Sequence, residues 1–406
     1  MIFLTALPYQ QKVRDYFKQQ SKTWDYFAIA KNKEDQLQQF KTELLKNTYK
    51  FDPSIENFIY DKVTLAKEKL ELQHLPVTVY QAQYTDELNA SIVYINNEAH
   101  IVFSGPITKL LDEEELLSVI AHELTHIKLY SMMEGELEVA DRIITAIANN
   151  YNSEAAYFET ARLFRLYTEI FCDRGAYNVL EKIDPVITSL VKASTGLDKV
   201  NAESYIKQAD EIFSAENNLK TAGFSHPENF IRAKALQLWH EKKENAEEEI
   251  IRMIEGISDL DKLDIFKQRE LETFTRQFLQ LFLKPKWLQS TMVLSQAKQY
   301  FTDFILDEKI LLSEKIIETI EKSHQSVKDY LSYILLDFAL VDPTLEEIPS
   351  GWAFQFAEDM QLKDTYDAII KKELKFSDKR LQQHKQKMLA AYYEVKESEG
   401  EQIYDG

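Results

Sequence analysis

Two histidines four residues apart, His122 and His126, stand in the stretch Val119-Ile-Ala-His-Glu-Leu-Thr-His126. If this stretch is helical, both imidazoles leave one face and can grip a single Zn²⁺, because positions i and i+4 of an α-helix lie one above the other. Glu123 sits beside them, offset around the helix. That offset suits a carboxylate that stays off the metal and acts as general base on a water the metal holds. A catalytic zinc site also needs a third protein ligand and one open position. The candidate is Glu169, in Tyr167-Thr-Glu-Ile-Phe-Cys-Asp-Arg-Gly175. Asp173 follows four residues later on the same helical face, placed to accept a hydrogen bond from the far nitrogen of a ligand imidazole and so fix its tautomer. Cys172 between them is expected to pack in the core, as thiols in helices usually do.

These side chains need a frame. Asp112 with Glu115 three residues on is a capping-box pattern, so a helix should run from about 113 to 130 and carry both histidines. Further helices are expected at about 136–149, 153–182, 186–194, 201–214 and 228–246, the last entered through Ser225-His226-Pro227. Ahead of them the period alternates in 76–80, 91–95 and 99–103, with Asn96-Asn97 a turn signal, which predicts a small antiparallel sheet. Strand 99–103, if it borders the cleft, could pair with an extended peptide. Residues 9 to about 75 form polar amphipathic helices. After the acidic run Glu244 to Glu249 come more amphipathic segments, with breaks near Pro285, Pro343 and Pro349-Ser350-Gly351.

H-E-L-T-H followed by E-I-F-C-D-R-G-A resembles family 48 of the metallopeptidases, the gluzincins that include CAAX prenyl endopeptidases and HtpX-like heat-shock proteases. Ser225-His226-Pro227 with Arg232, and Asn89-Ala90 ahead of the strands, resemble further pieces of the family pattern. The resemblance spans about residues 75–245. It implies that His122, His126 and Glu169 bind one zinc per chain, that Glu123 is the base, and that His226 and Arg232 line the site and help hold the oxyanion. The bland alternatives are a capping or core role for His226 and a helical pair with Glu228 for Arg232. The other histidines, His74, His100, His240, His324 and His384, read as surface or locally bonded residues. Residues about 296–375 more weakly resemble TerB-like helical bundles.

Composition bounds the rest. The chain has 406 residues, 45% of them hydrophobic, but only nine glycines and nine prolines, which favours long helices over turn-rich β structure. A net charge of −19 argues against nucleic acid or an anionic membrane as partner. Cys172 is the only cysteine, so no intrachain disulfide forms, and cytoplasm is expected before periplasm. No export signal and no membrane span is legible. The expected protein is therefore mainly α (α+β), zincin-type, in three parts: helices at 1–75 bracing a peptidase domain at 76–250, then a helical bundle at 251–406 that binds substrate or a protein partner. Its expected activity is that of a soluble zinc metalloendopeptidase on peptides or unfolded protein. The rivals are a zinc-containing scaffold or chaperone-like binding protein with little turnover, and a zinc hydrolase of non-peptide amides.

Overall fold

The computed structural model describes residues 4–29, 34–95, 97–215, 220–223, 225–307 and 309–399. The chain divides into two compact units, Met1–Gly256 and Ile257–Gly406. Among the described residues no helix is long and apolar enough to cross a membrane.

The first unit opens with α1 (Pro8–Lys18), α2 (Ser21–Ala28) and α3 (Glu34–Asn47), then β1 (Thr48–Lys50), α4 (Asn57–Lys69), β2 (Val77–Ala82), β3 (Asn89–Ile95) and β4 (Glu98–Ser104). A short α5 (Ile107–Leu110) leads into α6 (Glu113–Ser131), α7 (Glu136–Ala148), α8 (Ala155–Leu180), α9 (Asp184–Thr195), α10 (Ala202–Ala215), α11 (Asn229–Lys242) and α12 (Glu247–Glu255). α8 is the axis of the unit. Its residues from Thr160 to Tyr177 are buried on nearly every face, as a helix enclosed by neighbours on all sides must be. α6, α7, α9 and α11 pack around it, and α1 braces it through Gln10, whose buried amide donates to Thr168 Oγ1 at 3.2 Å.

The sheet corrects an expectation. It has four strands in the order β1-β2-β4-β3 and is mixed rather than antiparallel, because β2 pairs with β4 in parallel while β3–β4 and β1–β2 are antiparallel. β3 pairs antiparallel with β4, and of the expected Asn96-Asn97 turn Asn96 lies outside the described residues, but alternation along a strand carries no information about which neighbour lies on its other side. β4 returns between β3 and β2 and so runs with β2. It is therefore an internal strand, paired on both sides, and cannot accept a peptide; the free edge nearer the cleft is that of β3.

The closest approach of α6 and α8 depends on one glycine. A Cβ at Gly175 would lie 2.1 Å from Thr125 Oγ1 and 2.3 Å from its Cγ2, and Thr125 is itself fully buried, with its hydroxyl donating to the Ala121 carbonyl. Gly175→Ala is expected to cost about 1–3 kcal/mol or more through overpacking, and to weaken metal retention by forcing the two helices apart. Thr125→Ala in the same chain should restore part of the Tm. If Gly175→Ala melts with the parent, the contact is softer than the packing implies.

The second unit contains α13 (Ile265–Phe282), α14 (Thr291–Tyr300), α15 (Glu314–Glu321), α16 (Gln325–Leu340), α17 (Ile348–Asp359), α18 (Lys363–Glu373) and α19 (Asp378–Glu399). Its core centres on Phe278, Phe282, Trp352, Phe356 and Tyr392, with the Trp352 indole donating to the Phe282 carbonyl at 2.8 Å. Pro349-Ser350-Gly351, expected as a break, lies inside the first turn of α17. Proline is tolerated there because the first helical N–H groups have no intrahelical acceptor.

Candidate active site

α6 begins as the Asp112–Glu115 pattern predicts. Asp112 Oδ1 accepts from the backbone N–H of Glu114 and Glu115, both at 2.9 Å, and Glu115 Oε2 accepts from the N–H of Asp112 at 2.9 Å. Glu115 also receives Lys192 Nζ of α9 at 2.8 Å, a buried pair that ties α9 to the start of α6. Three turns on, His122 and His126 stack edge to face, with ring centroids 5.3 Å apart, and leave 14% and 19% of their side chains exposed to the cleft.

Both rings aim at one carboxylate. Glu169 of α8 places Oε2 3.4 Å from His122 Nε2 and Oε1 3.8 Å from His126 Nε2. Glu169 is buried, and among the described residues its Oε2 has no hydrogen-bond partner. Asp173, one turn on, lies with Oδ1 3.1 Å from His122 Nδ1, the nitrogen that faces away from Glu169. Arg232 of α11 grips Asp173 as a fork, Nε to Oδ2 at 2.8 Å and NH2 to Oδ1 at 2.6 Å, with NH2 3.5 Å from Glu169. The alternative pairing of Arg232 with Glu228 does not occur; Glu228 instead accepts from Thr221 Oγ1 and the Ala222 N–H. His226 is 60% exposed and so is no core residue, and its Nε2 lies 3.7 Å from Glu169 Oε1. Asn89 and Ala90 of β3 line the same cleft.

Cys172 is buried, and its Sγ lies within 4.8 Å of donor atoms of His122 and His126, which makes a His-His-Cys set a geometric competitor to His-His-Glu. Burial raises its pKa well above the usual thiol value, and the neighbouring Glu169 and Asp173 carboxylates raise it further. A thiol must lose its proton to bind zinc. Glu169, held well below the usual carboxylate range, would need no such proton loss.

Electrostatics sorts the groups. Burial tends to lower the pKa of His122, but its contact with Asp173 and the nearby Glu169 carboxylate outweigh this and raise it to about 10. Burial lowers His126 to about 4 and raises Glu123 to about 7. For Glu169 burial acts upward, yet His122 and Arg232 hold it well below the usual carboxylate range. Asp173 is likewise lowered, with Arg232 overcoming its burial. The residues fit a divalent cation: a neutral imidazole, an ionised carboxylate with a bare oxygen, and a second imidazole oriented from behind.

Spacing gave no hint of Arg162. It forks onto Glu159 with both contacts at 2.7 Å and donates from NH1 to the Gly223 carbonyl at 2.9 Å, tethering the loop that carries His226 to the helix that carries Glu169. A lone Arg seven residues before a candidate ligand has no local signature, because its partner lies 61 residues away. α9 contributes a wall of Val186, Leu190 and Ala193 to the same cleft, apolar residues that carry no local signature either.

Residues 56–240, which hold every member of the cluster, match the family model described as Peptidase family M48. This segment, a little under half of the chain, is thus similar to peptidase family M48, a family of metal-dependent peptidases. The chain is also similar to "Plastoglobule-localized metallopeptidase 48, chloroplastic" of Arabidopsis thaliana, at 25% identity over 202 residues, covering 45% of this chain and 58% of that protein. The chain therefore spans little more than half the length of this relative. No solved structure matches the chain.

Proposed function

We propose that the chain is a zinc-dependent metalloendopeptidase acting on peptides or unfolded protein, with one zinc held by His122, His126 and Glu169. The observation that carries this reading is the convergence of two imidazole Nε2 atoms on one buried carboxylate with a bare oxygen. Zinc, when bound, supplies a Lewis acid that polarises the scissile carbonyl and makes water more acidic. Glu123 takes the proton from the attacking water and delivers it to the amine as the C–N bond breaks. Asp173 accepts from His122 Nδ1 and fixes which nitrogen faces the metal, and Arg232 holds Asp173 in place. Because the Arg232 guanidinium is committed to Asp173, oxyanion stabilisation falls mainly to the exposed His226. An extended substrate pairs with the free edge of β3, which fits loose sequence preference along the strand. A single cysteine fits a reducing compartment, and cytoplasm is the compartment we favour.

His122, raised to about 10, holds its proton at neutral pH without metal, and a ligand nitrogen must be free of its proton, so loading at pH 7 should release that proton together with a further fraction from Glu123, which stands at about 7 without metal. In the metal-free protein the raised His122 pKa adds stability that is present below about 6.5 and lost as pH rises towards about 10. The test is zinc content and proton release on loading, paired with degradation of an unfolded reporter protein. Stoichiometric zinc, proton release and degradation support the reading. Zinc uptake with no proton release would place the metal elsewhere.

The role of the second unit is part of the same proposal: it presents substrate or a protein partner to the cleft. A chain ending at Gly256 should retain zinc and cleave short peptides, but act differently on whole proteins. Loss of zinc or of solubility in that shortened chain would make the second unit part of the peptidase itself.

A further inference from the structure

His226 stands on a segment outside any helix or strand and is 60% exposed, yet its Nε2 lies 3.7 Å from the buried Glu169. Irregular backbone keeps an exposed side chain in such a place only if it is itself fixed, because each ordered residue gives up conformational entropy. Part of the fixing is internal. Glu228 accepts from Thr221 Oγ1 at 2.7 Å and from the Ala222 N–H at 3.0 Å, and the Gly223 N–H donates to Thr221 Oγ1 at 3.1 Å. The Thr221 N–H donates to the Met253 carbonyl of α12 at 3.0 Å, which anchors the start of the segment to a helix that carries no site residue. These bonds leave its height over the metal ligands open.

Arg162 supplies that height. Its NH1 donates to the Gly223 carbonyl at 2.9 Å, and the Glu159 fork, with both contacts at 2.7 Å, holds the guanidinium on α8. Arg162 and Glu169 are seven residues apart on α8, about two turns of one helical face. One rigid helix thus carries both the proposed ligand and the anchor of the segment facing it. Gly223 passes the position on by direct contact, since a Cβ there would lie 1.9 Å from the His226 carbonyl oxygen. His226 Nδ1 lies 2.9 Å from Ser225 Oγ, which leaves Nε2 to face the cluster. We propose that Arg162 is a positioning residue: through Gly223 it sets the distance of the His226 imidazole from the reacting carbonyl, and with it the stabilisation His226 gives the oxyanion. The inference rests on the peptidase reading of the cluster and on the oxyanion role of His226. Oxyanion stabilisation is realised in the transition state, so loosening its donor lowers kcat and leaves KM near the parent value. A bond that serves stability alone has no such signature.

The experiment compares the zinc-loaded full chain with Arg162→Met, His226→Ala and the double variant, on a short peptide spanning a cleavage site mapped in an unfolded reporter protein. Arg162→Met keeps the aliphatic stem and should lower kcat about 10- to 100-fold, the scale of a misplacement of about 1 Å, with KM within about twofold and zinc content at the parent level. In the His226→Ala background the same substitution should change kcat by less than about twofold, because the two residues act as one unit. Arg162→Lys, which can restore the bond to Gly223 without the fork onto Glu159, should recover part of the lost kcat. Gly223→Ala displaces His226 with Arg162 in place; it should reproduce the fall in kcat, and keeps the test open if Arg162→Met fails to fold. Parental kcat in whichever of these two variants folds, or an equal fall with and without His226, overturns the positioning role and leaves the peptidase intact. Parental kcat in His226→Ala does the same. If the zinc-loaded parent chain spares the reporter altogether, the peptidase reading falls and this inference with it, an outcome distinct from the others.

Discussion

Glu123→Gln is expected to keep its zinc and its melting temperature while kcat falls by about 10²- to 10⁴-fold. The substitution preserves shape but removes the carboxylate that lines the cleft between the two histidines in sequence and is neither a proposed ligand nor, like Asp173, held behind one, and general-base catalysis contributes on that scale. Burial holds Glu123 at about 7 without metal. A dication beside it would stabilise the carboxylate, so in the loaded protein the acid limb of kcat/KM should lie below pH 7, and that limb should vanish in the Gln variant. Removing a buried charge that raises its own pKa carries no stability penalty, which separates this variant from a merely damaged fold. Unchanged hydrolysis by Glu123→Gln would require another base.

Glu169→Ala and Asp173→Asn should fall into a graded order. The first deletes a proposed ligand, so zinc should be lost at stoichiometric concentrations and turnover with it. The second leaves all three ligands but removes the charge behind His122, and zinc affinity should fall by about 10- to 100-fold, with activity recoverable in excess zinc. Asp173 is also the anchor of the buried Arg232, and leaving that guanidinium short of an anion should lower stability as well. Competition against a chelator of known affinity measures both. Full zinc occupancy in Glu169→Ala would sink the ligand assignment, and parent affinity in Asp173→Asn would reduce Asp173 to a helix residue.

How much was legible follows the range of each interaction. α6 was readable to within a residue because its capping box is local: Asp112 and Glu115 exchange hydrogen bonds across three residues, and the i, i+4 pair follows from helical pitch alone. The E-x-x-x-D spacing likewise puts Glu169 and Asp173 on one face of α8. Sheet order was not legible, since β4 has the same alternating pattern whether it lies at an edge or between β2 and β3. Arg232 could be placed near the site by resemblance, but its partner could not. Two acidic residues, Glu228 one turn away in sequence and Asp173 59 residues away, compete for it, and only the packing of α11 on α8 decides for Asp173. Pro349 shows the converse: a residue that breaks a helix interior opens α17 instead, because its position in the first turn, not its type, sets the outcome. The α9 wall has no motif at all, being ordinary core-type residues that happen to face a gap.

Cys172 makes one measurement decisive for the metal centre. Its sulfur and the carboxylate of Glu169 are both within reach of the two histidines, and they differ in the bond length they would give, about 2.3 Å for zinc to sulfur against about 2.0–2.2 Å for zinc to imidazole nitrogen or carboxylate oxygen. X-ray absorption at the zinc edge of the loaded full chain resolves that difference. Two imidazoles with oxygen neighbours and no sulfur shell is the result predicted for a catalytic centre of His122, His126 and Glu169. A sulfur scatterer near 2.3 Å that disappears in Cys172→Ala would contradict it.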